Sequence, residues 1–216
     1  MMDFQGKSVL ITGAKGNLGR ALVKAFGDRG ADIAPVDLPT NLLDQKQVDE
    51  AVQAAIRDLD GIDVLCNIAG GFRMGKPLHE TSDADWDFLM DLNARTVLHM
   101  ARAVVPDMLA RGGGKIVNIG AFAAQRGAAN MGAYIASKSA VIRLTETMSA
   151  ELREHNINVN CVLPTIIYTP ENRKAMPKAD PKKWVAPQDL ANVIVFLASD
   201  AARAIHGAAI PVTGLS

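Results

Sequence analysis

Lys7-Ser-Val-Leu-Ile-Thr12, running into Gly13-Ala-Lys-Gly-Asn-Leu-Gly19, decides the fold of this chain. The first six residues form a short β-branched, apolar run, and a glycine-rich turn follows at once. Beyond the turn, Leu22, Val23 and Phe26 recur at helical spacing, and Gly30 stands where a glycine closes a helix. Strand, glycine turn and helix in that order gather backbone N–H groups and the positive end of a helix dipole at one point, which a pyrophosphate can approach closely. A second strand, Asp32-Ile-Ala-Pro-Val-Asp37, ends in an acid eighteen residues past Gly19. That is near the spacing of a carboxylate that bonds adenosine ribose hydroxyls. Gly13, Lys15, Asn17, Leu18, Gly19, Asp37 and Leu38 are therefore expected to hold a dinucleotide. Asp37 favours NAD(H), because the 2′-phosphate of NADP(H) would meet a like charge; Lys15 partly offsets this and keeps NADP(H) open.

Strands and helices go on alternating. Ile62–Cys66, Lys115–Ile119, Asn158–Leu163 and Ala208–Val212 read as strands, and roughly Gln45–Asp58, Ser82–Arg111, Ala133–Glu154 and Pro187–Ser199 as helices. Nearly continuous apolar strands belong to a sheet covered on both faces, and the alternation implies parallel strands with right-handed crossovers. The expected fold is α/β: a single Rossmann-type, doubly wound parallel sheet with helices on both faces. Ligands bind such sheets at the carboxyl ends of the strands. Gly13 to Gly19, Asp37, Asn67 to Gly71, Ala121 and Pro164 to Thr169 all collect there.

Composition narrows the function. At 216 residues and 49% hydrophobic content, residues 1–216 can form one domain around a large core. Lys plus Arg and Asp plus Glu balance at 23 each, so no nucleic-acid footprint or attraction to an anionic membrane is expected. The longest apolar runs, such as Val193–Ala198, are too short to span a bilayer, and Met-Met-Asp-Phe-Gln carries no signal core. A cytoplasmic location is expected. Cys66 and Cys161 lie in apolar strand-like runs, which suits buried free thiols. The four histidines show no ligand spacing, and no metal is expected.

Gly132-Ala-Tyr-Ile-Ala-Ser-Lys138 places a phenol and an ammonium four residues apart, on one face of a helix. A nearby ammonium favours phenolate and would draw the Tyr134 pKa from about 10 toward neutrality. Tyr134 thus reads as a general acid/base with Lys138 as its tuner.

Four segments together resemble the short-chain dehydrogenase/reductase family over nearly the whole chain: Thr12-Gly-Ala-Lys-Gly-Asn-Leu-Gly19, Asn67-Ile-Ala-Gly70, Tyr134-Ile-Ala-Ser-Lys138 and Leu163-Pro-Thr-Ile-Ile-Tyr-Thr169. The resemblance implies an NAD(P)-dependent oxidoreductase that passes a hydride between nicotinamide and a small organic substrate. It implies that Asn67, Ala69 and Gly70 support the adenosine side, and that Pro164, Ile167 and Thr169 border the nicotinamide, Ile167 through its backbone. Asn93 matches a helix asparagine that holds a water in a proton relay behind the lysine. It also implies pairing of long helices across a two-fold axis, hence a homodimer or homotetramer.

Two positions depart from the family. Asn17 replaces the middle glycine of the turn, and asparagine tolerates positive φ better than other residues with a side chain. Ala121 stands thirteen residues before Tyr134, where the family has its active-site serine. The lost donor corresponds to about 2.7–4 kcal/mol by analogy with a deleted oxyanion-hole donor. Dihydropteridine reductases, a branch of the family, also have alanine there. They share the patterns of Cys66 to Phe72, Gly120 to Ala124 and Thr169 to Asp180 followed by Trp184, and a short link like that from Asp37 to Leu43. They use NADH to reduce quinonoid dihydropterins. Phe72, Met74, Ala121, Phe122, Gln125, Tyr168, Met176 and Trp184 are the expected pocket wall, with a substrate lid at about 170–186. The alternatives are a catalytically weak dinucleotide sensor, for which Ala121 would be a relic, and a ketone or 3-oxoacyl reductase in which Gln125 or a water replaces the serine.

Overall fold

The structure is a computed structural model in which residues 3–216 are described. Six strands, β1 (Ser8–Thr12), β2 (Asp32–Val36), β3 (Val64–Asn67), β4 (Gly114–Ile119), β5 (Ile157–Pro164) and β6 (Ala209–Val212), form one sheet in the order β2-β1-β3-β4-β5-β6. Every neighbouring pair is parallel. Because β2 and β3 leave β1 on opposite sides, a crevice opens at the carboxyl ends of β1 and β3, the switch point where such sheets take ligands.

Successive strand residues serve opposite faces. Val9 and Ile11 of β1 and Val64 and Cys66 of β3 join a core with Leu22 and Phe26 of α1 (Asn17–Gly27). Leu190 and Ile194 of α7 (Pro187–Leu197) complete that layer. Leu10 and Leu65 point the other way, against Val48 and Val52 of α2 (Gln45–Leu59). The centre of the sheet is thus buried on both faces, which is why its inner strands are largely apolar. Pro35 and Pro211 lie in the edge strands β2 and β6, where a missing N–H costs no ladder bond.

Helix boundaries follow local chemistry. Asp44 caps α2 by accepting from the backbone N–H groups of Lys46 and Gln47, and Asp60 ends it at φ 57°. Gly30 does not cap α1, which ends at Gly27; it turns the chain at φ +83° on the way to β2. The helix expected over Ser82–Arg111 is interrupted. Its parts are α3 (Asp83–Met90), one π turn over Asp91–Arg95, and α4 (Thr96–Arg111). The longest helix is α5 (Gly132–Leu152), and the short α6 (Pro170–Ala175) opens the segment expected as a lid. No helix among the described residues is long and apolar enough to cross a membrane.

Candidate active site

At the carboxyl end of β1 the chain turns through Gly13 at φ +67°, where a Cβ would lie 3.1 Å from the Ala69 backbone. Only glycine lets the two loops approach so closely. A Cβ on Gly19 would overlap the Gly13 carbonyl and lie 2.7 Å from Ala14 Cα, so helix α1 can pack onto its own loop only without one. Gly16 is the α1 N-cap and brings no side-chain bond. The N–H groups of Asn17, Leu18 and Gly19 therefore begin a helix turn beside the crevice, the arrangement that attracts a phosphate. Asn17 is the first helical residue and does not take positive φ; the tolerance expected of it at this position is not used.

The Asp37 carboxylate stands at the end of β2, held by the backbone N–H of Lys15 at 2.7 Å and of Leu38 at 2.8 Å. Lys15 Nζ donates to the Leu38 carbonyl, and the Leu38 side chain is 73% exposed. Asn67 is buried at the end of β3, and its amide donates to Asn118 Oδ1 at 2.8 Å; Asn118 in turn donates to Thr145 Oγ1. Thr12 Oγ1 accepts from the N–H groups of Ile68 and Ala69, which fixes the loop that carries Gly70. Turn, acid and loop surround one crevice, so the cofactor residues named from sequence on the adenosine side are brought together.

Tyr134, Lys138 and Asn93 also converge. Lys138 is buried and donates to the Ile119 carbonyl at 2.8 Å. The π turn rotates Asn93 inward: its Oδ1 accepts from Gly71 N–H at 2.9 Å, and its Nδ2 donates to the Gly71 carbonyl and to Ser137 Oγ. Ser137 Oγ donates to the Tyr134 carbonyl, closing the link to the tyrosine turn. A Cβ on Gly70 would lie 2.9 Å from Asn93 Oδ1 and 3.1 Å from Lys138 Nζ. Both amide N–H groups of Asn93 are thereby bound.

The electrostatics differ from the sequence expectation. Burial pushes the Tyr134 phenol up to about 12, and burial pulls the Lys138 amine down to about 8, with the nearby Cys161 acting in the opposite sense. In the protein alone desolvation outweighs any pull of the ammonium on the phenol. Tyr134 is a neutral O–H at neutral pH, the form that donates a proton.

Around the tyrosine, the Phe72 ring meets Tyr134 edge-on at 4.9 Å. Ala121 is 3% exposed and packs with Val97, Val141, Ile142 and Leu163, so no hydroxyl enters from that position. Pro164 ends β5, and Val185 clamps the next segment by bonding Ile166 and Tyr168. The Ile167 carbonyl accepts from Asn172 Nδ2 at 2.8 Å, and Thr169 Oγ1 caps α6 through Asn172 N–H. Trp184 is buried with Tyr168 at 6.3 Å. Met74, Phe122 and Gln125 are exposed and Met176 partly so. A small pocket reaches Tyr134 from the side of Arg73, Lys76, Leu89 and Asn130, none of which the sequence reading named. Asn130 is held at φ +60° and accepts from Gly75 N–H, a pairing across 55 residues that no local pattern announces. Among the described residues no His, Cys, Asp and Glu cluster could hold a metal ion.

A family model described as enoyl-(acyl carrier protein) reductase matches residues 2–214. The chain is 32% identical to dehydrogenase/reductase SDR family member 6 of Danio rerio, over 99% of this chain and 98% of that protein. The chain belongs to the short-chain dehydrogenase/reductase family. As a member it is an NAD(P)-dependent oxidoreductase acting on small substrates. Its relatives in this family include 2-dehydro-3-deoxy-D-gluconate 5-dehydrogenase of Escherichia coli strain K12, 32% identical over 98% of this chain and 96% of that one. D-threitol dehydrogenase of Mycolicibacterium smegmatis is 33% identical over 98% and 94%. Among solved family structures, carveol dehydrogenase from Mycobacterium avium in complex with NAD superposes with a TM-score of 0.90 at 27% identity, covering 98% of each chain. NAD+-bound xylitol dehydrogenase gives 0.90 at 26%, covering 98% of this chain and 99% of that one.

Proposed function

We propose that this chain is an NADH-dependent reductase of a small, electron-poor organic substrate, of which a quinonoid dihydropterin is the type. The observation that carries the reading is the buried, neutral Tyr134 on the same face of α5 as Lys138, beside an Ala121 that cannot donate a hydrogen bond. The turn Gly13 to Gly19 would hold the pyrophosphate, and Asp37 the adenosine ribose, which disfavours a 2′-phosphate. Asn67, Ala69 and Gly70 would border the adenosine, and Pro164, Ile167 and Thr169 the nicotinamide. Bound NADH supplies the hydride. Tyr134 would supply the proton, Lys138 would bond the cofactor ribose, and Asn93 would act as a positioning residue through Gly71 and Ser137. A substrate that is already electron-poor needs less help from a serine hydroxyl, which accounts for Ala121. The exposed rings of Phe72, beside Tyr134, and Tyr168, backed by the buried Trp184, would offer flat walls for a planar ring.

The names of the relatives favour a second reading, a dehydrogenase of sugar-derived or polyol substrates. Both readings keep the family chemistry and differ in what the pocket accepts. Apolar side chains Trp86 and Phe88 on α3 and Leu98 on α4 remain exposed, which supports association with a second copy through these helices. Two buried free thiols suit a reducing compartment, the cytoplasm.

The test is NADH oxidation with quinonoid dihydropterin and a panel of ketones, beside NAD+ reduction with sugar acids and polyols, for wild type and Tyr134→Phe. Turnover of the pterin, lost in the variant while NADH still binds, supports the first reading. Turnover confined to sugar acids or polyols supports the second.

A further inference from the structure

The family resemblance puts a glycine where this chain has Asn17, and the structure shows what the amide does. Arg20 donates through Nη2 to Asn17 Oδ1 at 3.0 Å and through Nη1 to the Lys15 carbonyl. Asn17 Nδ2 donates to Glu171 Oε2, also at 3.0 Å. A guanidinium on its oxygen and a carboxylate on its nitrogen fix the orientation of the amide. Glu171 lies in the first turn of α6, which Thr169 caps. Its carboxyl is held below the usual range by its own backbone N–H and the Thr169 hydroxyl, with further help from Asn17 and the Arg20 charge.

The segment is tied down differently at its base and at its tip. At the base, Val185 N–H bonds the Ile166 carbonyl, Tyr168 N–H bonds the Val185 carbonyl, and Leu215 N–H bonds the Lys183 carbonyl. Between residues 170 and 180, the other hydrogen bonds among the described residues stay within the segment and its base. Among the hydrogen bonds of the described residues, that from Asn17 to Glu171 alone joins α6 to the glycine-rich turn. A glycine at position 17 could not make it.

We propose that Asn17 and Glu171 form a clasp that holds the 170–183 segment down over the glycine-rich turn, so that opening the clasp gates entry and release of the dinucleotide. The gating rests on the reading of that turn as the pyrophosphate site; the clasp itself does not. With the clasp closed, α6 stands against the first turn of α1, so a dinucleotide on that turn leaves only when the segment lifts.

The segment carries its own reporter, since Arg173, Lys174 and Lys178 are trypsin sites. Limited trypsin digestion of the intact protein, with fragments read by mass, is run on wild type, Asn17→Gly, Asn17→Asp, Glu171→Ala and the Asn17→Gly/Glu171→Ala double variant. When closing outpaces cleavage, the cleavage rate follows the open fraction. Loss of one hydrogen bond to a charged group at the surface should speed cleavage at these sites about three- to tenfold in each single variant. Asn17→Asp, which sets a like charge against Glu171 and keeps a side chain, should do the same. The double variant should be no faster than either single one. Unchanged cleavage, or effects that multiply in the double variant, would overturn the clasp. NADH release, followed by stopped-flow fluorescence on the same proteins, should accelerate by a similar factor. Faster cleavage with unchanged release would overturn the gating and leave the clasp. Failure of every protein to bind NADH would overturn the cofactor reading and the gating with it, while the digestion still decides the clasp.

Discussion

Lys138 sits at the meeting point of function and stability. Its amine is buried and titrates at about 8, against 10.5 for a free lysine. Below pH 8 the amine is charged in both folded and unfolded chains, and the cost of burying it is fully present. Between pH 8 and 10.5 the unfolded chain still binds a proton that the folded chain has lost, so the group's contribution becomes more favourable as pH rises. The difference between 10.5 and 8 corresponds to about 3 kcal/mol. Urea unfolding of wild type and Lys138→Met at pH 7 and 10 should therefore show wild type gaining on the variant, by up to about that amount; a gap independent of pH would contradict it. Ala121 gives a second test. A serine there would add a donor beside Tyr134, and Ala121→Ser should raise kcat/KM on simple ketones about a hundredfold if that donor reaches the developing oxyanion. Steady-state kinetics with NADH checks this. Tyr134 itself shows where residue-level reading falls short: its spacing from Lys138 was legible, but the direction of its pKa depends on burial by Phe72 and the loop above, which lie far away in sequence.

At the scale of elements, local signals placed the strands and most helix ends well. The apolar runs of β1, β4 and β5 lie within a residue or two of their expected positions. The break in the helix over 82–111 was not legible. Nothing in Asp91-Leu-Asn-Ala-Arg95 forbids an ordinary helix; the π turn is supported by Asn93 reaching Gly71 and Ser137 on two other elements. Packing of α1 shows the opposite balance, since the spacing of Leu22 and Phe26 already assigns them to the core. Phe26 is fully buried and meets Phe4 edge-on at 5.0 Å. Phe26→Ala should cost about 3–5 kcal/mol in a denaturant melt, because α1 and α7 cannot collapse into the space without displacing the glycine-rich turn.

Over the whole molecule, the exposed apolar side chains of α3 and α4 are the feature that one chain leaves unresolved. If a second copy covers them, light scattering will give at least twice the 23.0 kDa of one chain, and Trp86→Glu together with Leu98→Glu will lower it to the mass of one. A single-chain mass for wild type would contradict the pairing.

The sequence by itself determined the class of sheet, its two-sided burial and the end of the strands at which the candidate site residues gather. These are written in periodicity, glycine placement and capping, which act over a few residues. Only the tertiary structure decided the order β2-β1-β3-β4-β5-β6, the raised pKa of Tyr134, the inward turn of Asn93 and the bond from Asn17 to Glu171. Each depends on which distant segment returns to which strand end, and burial, desolvation and side-chain partners exist only once that return has been made.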